Sequence, residues 1–278
     1  MAVSILIGSA ANRERNCNVI KRHRIQFPST DVRELSQDEV YFYLLDKAGK
    51  KTKIRLHEYD RLYQIPGLYE QVVYERLKCQ SPSTVSEVLK YALSQSDQRL
   101  NELRVLDLGA GNGIVGEELK KHGVSRLIGV DILPEAREAT ERDRPGVYDA
   151  YYVVDLCSLS ADEREELASW SPECLISVAA LGFGDIPPQA FLEAFNLIAR
   201  QGWVAFNIKE TFLDRSDDSG FSRLIRELIS SEYLDLYHLQ RYRHRFSLEG
   251  EPLYYFALGG KKNDHVSSTF IDELQLPA

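Results

Sequence analysis

Three glycines at alternate positions, Gly109, Gly111 and Gly113, follow a short apolar run at 104–108 and precede apolar residues at helical spacing. A strand, a tight turn and a helix start in that order form the mononucleotide-binding corner of a doubly wound sheet. Glycine lets the chain turn sharply there and lets the backbone approach a ligand where a Cβ would collide. Two cofactor chemistries fit the letters. Gly111-Asn-Gly113-Ile-Val-Gly116 satisfies GxGxxG, and Asp131 follows ~20 residues later, as a dinucleotide's ribose-binding acid would. The glycines, however, begin too early for that register, at Gly109, and Asp107 sits inside the strand. A carboxylate aimed at a diphosphate repels it, whereas one aimed at an ammonium or a sulfonium attracts it.

The run VLDLGAGNG at 105–113 resembles motif I of the class I S-adenosylmethionine (SAM) methyltransferases. The resemblance implies SAM as cofactor, held by Asp107, Gly109, Ala110 and Gly111. It also implies Asp131 as bidentate ribose ligand and Ile132 along the adenine face. Asp155, with Leu156, matches the family's adenine-edge position; helix capping is the competing account of that acid. Ala179 stands in the loop that faces the sulfonium in this fold. The loop, VAALGFGDIP at 178–187, lacks the (Asn/Asp)-Pro-Pro-(Tyr/Phe) motif of amide and nucleic-acid N-methyltransferases. It resembles the same stretch of the methyltransferase-like family named for the Williams–Beuren region, a likeness spanning 105–209.

Short β-rich runs alternate with helical patterns from residue 81 to 262, and a Gly/Pro turn at 247–252 joins two final β-rich runs. The expected fold class is α/β: a seven-stranded, doubly wound, mostly parallel sheet with an antiparallel last strand. Ahead of it, residues 1–80 form an extension. Runs at 39–45 and 51–56 around a Gly-containing turn read as a hairpin, with Thr52, Ile54 and Leu56 on one face and Lys53 and Arg55 on the other. An isolated hairpin is marginal, so it covers its own core or pairs with a second copy, and we expect a homodimer through it. A helix is expected at 85–94, capped from 81–84, and a frayed tail at 263–278.

Composition narrows the partners. Net charge is −8, without a basic stripe, and the one dense basic run, 21–24, reads as a solvated face, which argues against nucleic acid. Cys17, Cys79, Cys157 and Cys174 form no CxxC pair, which argues against a disulfide framework and a metal site. The first ten residues lack the features of a signal peptide, and no run approaches the ~20 apolar residues of a membrane span. A cytoplasmic protein is expected, without a membrane partner.

Methyl transfer is an in-line displacement that wants alignment and exclusion of water. The chain offers Tyr59, Tyr63 and Tyr69 ahead of the glycine turn, either as core fillers or as a lid over the cofactor. Tyr59, Tyr63 and Lys209 are the catalytic candidates, and Arg61, Tyr69, Phe183 and Arg243 the substrate-binding ones. His57, His238 and His244 read as structural, so no general base stands out. Cations and tyrosines together suit a small polar or anionic acceptor, and O-methylation of a small carboxylic acid or hydroxylated metabolite is expected. A macromolecule methyltransferase, a SAM-binding module without turnover and an NAD-dependent oxidoreductase are the alternatives.

Overall fold

The computed structural model describes residues 22–28, 35, 37–214 and 216–276; Cys17, Lys21 and the opening ten residues lie outside them. Strands β1 (Arg24–Gln26), β2 (Tyr41–Leu45) and β3 (Lys51–Arg55) form an antiparallel sheet in the order β1-β2-β3. The expected hairpin is therefore three strands. The basic run conceals β1, because Arg24 is exposed while its backbone pairs with Leu45. Phe42 and Ile54 face each other across β2 and β3 and are buried with Leu62, Leu68, Val72 and Leu77. The hairpin thus covers a core within its own chain. Thr52 shares the face of Ile54, as expected, opposite Leu44, but is exposed at the strand's end.

Helix α1 (Tyr59–Gln64) and a π-helical stretch, Glu70–Arg76, follow the small sheet. Helix α2 (Ser81–Leu93) starts earlier than expected, because Pro82 presets the first turn. Ser81 makes no capping hydrogen bond; it is fully buried and bonds to side chains of the last hairpin.

The main sheet comprises β4 (Arg104–Leu108), β5 (Arg126–Asp131), β6 (Ala150–Val153), β7 (Cys174–Ser177), β8 (Trp203–Lys209), β9 (Leu234–Phe246) and β10 (Pro252–Lys262). Their order is β6-β5-β4-β7-β8-β10-β9. Only β10 runs against the others, pairing antiparallel with both β8 and β9. Strands β4, β5, β7 and β8 are buried on both faces, as their unbroken apolar sequences require. Helices α3 (Ile114–Lys121), α4 (Pro134–Asp143), α5 (Ala161–Ser169), α6 (Pro188–Leu197) and α7 (Phe221–Ser230) alternate with them. In α7, Phe221, Leu224, Ile225 and Leu228 recur at helical spacing and fill the core on one face of the sheet. Val85, Val88, Leu89 and Ala92 of α2 cover the other face with Trp203, Ala205 and Ala257.

The tail is not frayed. Residues beyond Lys262 form α8 (Ser268–Leu274), capped by Ser267, and Val266 and Leu274 join the sheet's core. Lys262 is fully buried and donates to the carbonyls of Phe195 and Ile198 at the end of α6, which ties the last strand to that helix. Among the described residues, no helix is long and apolar enough to cross a membrane.

Candidate active site

A cavity of about 340 Å³ opens at the carboxyl ends of β4, β5 and β7, where the strand order reverses. Its floor is the glycine turn. Gly109, Gly111 and Gly113 all have positive φ, so the turn needs glycine's backbone freedom. A Cβ on Gly109 would stand 2.8 Å from Ala180 and Ile186, and one on Gly111 would stand 2.6 Å from the Tyr63 hydroxyl. The Gly111 carbonyl accepts from Tyr151 at 2.7 Å and from Thr140 at 2.9 Å, which fixes the loop from below.

Ala110, Asp131, Ile132, Asp155, Leu156 and Ala179, all expected around the cofactor, line this cavity with Gly109 and Gly111. Asp131 accepts from the backbone N–H of Gly111 (2.9 Å) and of Leu133 (3.0 Å), so strand β5 and the glycine turn hold one carboxylate between them. Each oxygen retains a lone pair for a hydroxyl. Ile132 is 57% exposed, an apolar face at the rim. Asp155 does cap, as the competing account has it, but the helix is a short one: its carboxylate accepts from Cys157 N–H and Ser158 Oγ. Helix α5 is capped instead by Ser160 and Glu163.

Asp107 lies deeper than expected. It is fully buried beneath the turn and is not part of the cavity wall. Tyr148 donates to its Oδ2 at 2.6 Å, while Oδ1 has no partner among the described residues. Burial, and more weakly the charge of Asp131, push its pKa up to about 7. Burial and the nearby Asp185 likewise raise Asp131. Four carboxylates, Asp60, Asp131, Asp155 and Asp185, line the cavity, which favours a cationic occupant and disfavours a diphosphate.

The extension forms the opposite wall. His57, Tyr59, Asp60, Tyr63, Tyr69 and Tyr74 line the cavity, so the tyrosine-rich segment is a wall of the site. Burial pushes the phenols of Tyr59, Tyr63 and Tyr74 well above 10, which leaves them hydrogen-bond donors and removes them as bases. Arg144 ties this wall to the floor: it donates to Glu70, Glu117 and the Asn112 carbonyl, and Asn112 donates to Glu70 at 2.7 Å. Arg142 adds a bond to the Tyr63 carbonyl.

The third wall is the loop after β7. Ala179 has a φ of 55°, unusual for a residue with a Cβ, and Asn207 of β8 holds it there, accepting from its N–H at 2.6 Å. Asn207 donates in turn to Tyr242, whose hydroxyl meets Ser81, and Ser81 meets His244. This buried chain links the loop to the closing hairpin. Further along, Asp185 meets His57 Nδ1 at 3.0 Å.

The remaining candidates divide. Phe183 packs on His57 and lines a smaller side cavity behind it. Lys209 lies over the Phe183 ring but does not line the main cavity, and burial together with Arg245 lowers its pKa. Arg61 and Arg243 are not at the site. Arg61 lies on the outer side of α1 and is spent on Glu58 and the Lys53 carbonyl. Arg243 donates to the Lys78 carbonyl and covers Phe246, because the β9 pleat turns it away from its buried neighbours. His238 packs on Tyr91, and burial keeps His244 neutral. Sequence reasoning missed the His57–Asp185 pair, Asn207 and Arg245. Asp185 stood in the loop already singled out, but its contact with a residue 128 positions away had no sequence signal.

Residues 106–206 match the family model described as a methyltransferase domain. No curated protein matches the chain. Solved structures with a similar fold include the N-methyltransferase NodS from Bradyrhizobium japonicum with S-adenosylhomocysteine (15% identity, 75% of this chain and 98% of that one, TM-score 0.48). Others are magnesium protoporphyrin IX methyltransferase from Synechocystis with SAM (16%, 66% and 79%, 0.46) and a putative RNA methyltransferase from Pyrococcus horikoshii (17%, 65% and 84%, 0.47). The glycine cradle, the acid at the end of β5, the reversed β10 and the matched domain agree with one another. Residues 106–206 form the core of a class I SAM-dependent methyltransferase domain, and SAM is its cofactor.

Proposed function

We propose that the protein methylates a hydroxyl oxygen of a small molecule, with His57 as general base. The observation that carries this reading is the His57–Asp185 pair on the wall shared by the main and side cavities. When bound, SAM supplies a methyl on a sulfonium, and the new oxygen–carbon bond forms as the carbon–sulfur bond breaks to leave a neutral thioether. With Nδ1 committed to Asp185, the imidazole has Nε2 to take the hydroxyl proton, and the carboxylate stabilises the imidazolium that results. A carboxylate acceptor would need no base at all. Phe183 and Tyr59 pack against the His57 ring and fix its plane. The tyrosine wall narrows the cavity, which supports a small acceptor and keeps water from the transferring methyl.

The test is transfer from methyl-labelled SAM to a library of phenols and hydroxy acids, comparing wild type with His57→Gln and Asp185→Asn. His57→Gln is expected to lower kcat by roughly 100-fold or more, with S-adenosylhomocysteine affinity unchanged. Asp185→Asn should fall between. Label recovered only in acid-precipitable protein or RNA would overturn the reading.

A further inference from the structure

The side cavity, about 40 Å³, lies behind His57 and is walled by Phe183, Asp185, His244, Arg245 and Tyr255 among others. Its volume suits one small polar group. Arg245 is its unusual feature. The residue is only 5% exposed, and its one hydrogen bond among the described residues goes to the Phe246 carbonyl at 2.9 Å. Among the described residues no carboxylate pairs with it: Asp185, the acid on the same wall, meets His57. A buried guanidinium that no carboxylate pairs is destabilising, and a fold rarely carries one without use.

The backbone shows how it comes to be there. Along β9, Arg243 pairs with Tyr254 and Arg245 pairs with Leu253, so His244 is an extra residue opposite a register shift. A bulge of this kind breaks the alternation and re-aims side chains, commonly beside active sites. Here it buries two consecutive side chains, and both line the cavity. His244 is already committed to Ser81 and stacks on Tyr255. Among the described residues, the charged side chains of the cavity are therefore Asp185, which meets His57, and Arg245, which no carboxylate meets.

We infer that the side cavity is an anion-binding subsite for the acceptor, with the Arg245 guanidinium holding a carboxylate of the molecule whose hydroxyl meets His57. This rests on the small-acceptor reading above and narrows it to a hydroxylated carboxylic acid. A guanidinium presents a planar fork to a carboxylate, so recognition here selects the anion over its neutral amide.

The experiment follows the Arg245 Nε–Hε resonance of ¹⁵N-labelled protein, assigned by its loss in Arg245→Gln, in the presence of saturating S-adenosylhomocysteine. Acetate and benzoate are titrated against acetamide and benzamide at matched ionic strength. A saturable shift with the carboxylates, absent with the amides and at least tenfold weaker by backbone shifts in Arg245→Gln, is the expected result. No saturable response to either carboxylate, or an equal response to the amides, overturns the proposal. Failure of the wild type to bind S-adenosylhomocysteine would instead overturn the cofactor reading beneath it. Arg245→Met supplies a second readout. A guanidinium kept for a ligand should cost the unliganded fold, so this variant is expected to melt no lower than wild type, and a large drop would make Arg245 a structural tie and sink the assignment.

Discussion

Asp107 carries a charge that the fold itself opposes. Its folded pKa of about 7 lies above the ordinary 3.8 because it is buried with one oxygen unpartnered. The folded state therefore keeps a proton that the unfolded chain releases from about pH 4 upward. Stability of the unliganded protein falls as pH rises through that window and levels off above about 7. Asp107→Asn keeps an acceptor for Tyr148 and removes the titration. Its stability advantage in urea unfolding should grow from about pH 5 to about pH 8, toward an upper bound of ~4 kcal/mol. An advantage that does not change with pH would mean that the carboxylate is already ionised in the folded protein. Gly111 makes a complementary case. An alanine there would force its Cβ to within 2.6 Å of the Tyr63 hydroxyl, whereas the ring carbon behind that oxygen is 3.4 Å away, near ordinary contact. Gly111→Ala should weaken S-adenosylhomocysteine binding at least tenfold, which is ~1.4 kcal/mol. Adding Tyr63→Phe should recover part of the loss; no recovery would place the damage in the positive φ alone.

Elements meet at the site through buried polar side chains, and Asn207 is the most connected of them. It joins β8 to the loop after β7 through the Ala179 N–H and to the closing hairpin through Tyr242. Leucine has its volume but none of its bonds. Asn207→Leu should lower stability by roughly 2–4 kcal/mol, because a buried N–H and a buried hydroxyl lose partners together. It should also lower turnover more than cofactor affinity, since the displaced loop carries Asp185. Retained turnover in a destabilised variant would confine Asn207 to a structural role. The same comparison shows what was legible in sequence. Glycine spacing, an acid at a strand end and alternation of strand with helix are local signals, and they marked residues that line one cavity and the sheet with its reversed strand. The site's far wall depends on contacts between distant residues. Arg243 and Arg245 are indistinguishable as letters, and a one-residue register shift in β9 is what buries Arg245 and leaves Arg243 half-buried. Strand β1 was likewise set by tertiary pairing rather than by composition. Helix α8 escaped notice because only Val266 and Leu274 of its surroundings are deeply buried, too few to make a periodic pattern.

At the scale of the molecule, the extension and the sheet are separate apolar clusters that share the cavity. Besides the His57–Asp185 pair and the Arg142 bond to the Tyr63 carbonyl, further contacts join them. Tyr63 packs on Ala136 and Ala139 of α4, Arg144 bonds Glu70 and Asn112, and the backbone of β9 bonds Leu77 and Gln80. A ligand in the cavity touches both sides and so adds to these contacts, stabilising the junction in proportion to its occupancy. Amides of α1 and of the π-helical stretch should then gain hydrogen-exchange protection on S-adenosylhomocysteine binding, as should the glycine turn. The amides of β1 and of the turn between β2 and β3, remote from the cavity, should not. Arg144→Ala removes the bridge while leaving the cavity lining intact, since Arg144 is not part of that lining. It should weaken binding by about tenfold, ~1.4 kcal/mol, and reduce the protection gained by the π-helical stretch more than that gained by the glycine turn. Protection confined to the glycine turn and β5 in the wild type would show that the extension does not close on the ligand, and the tyrosines would revert to core fillers whose place in the cavity wall has no bearing on binding.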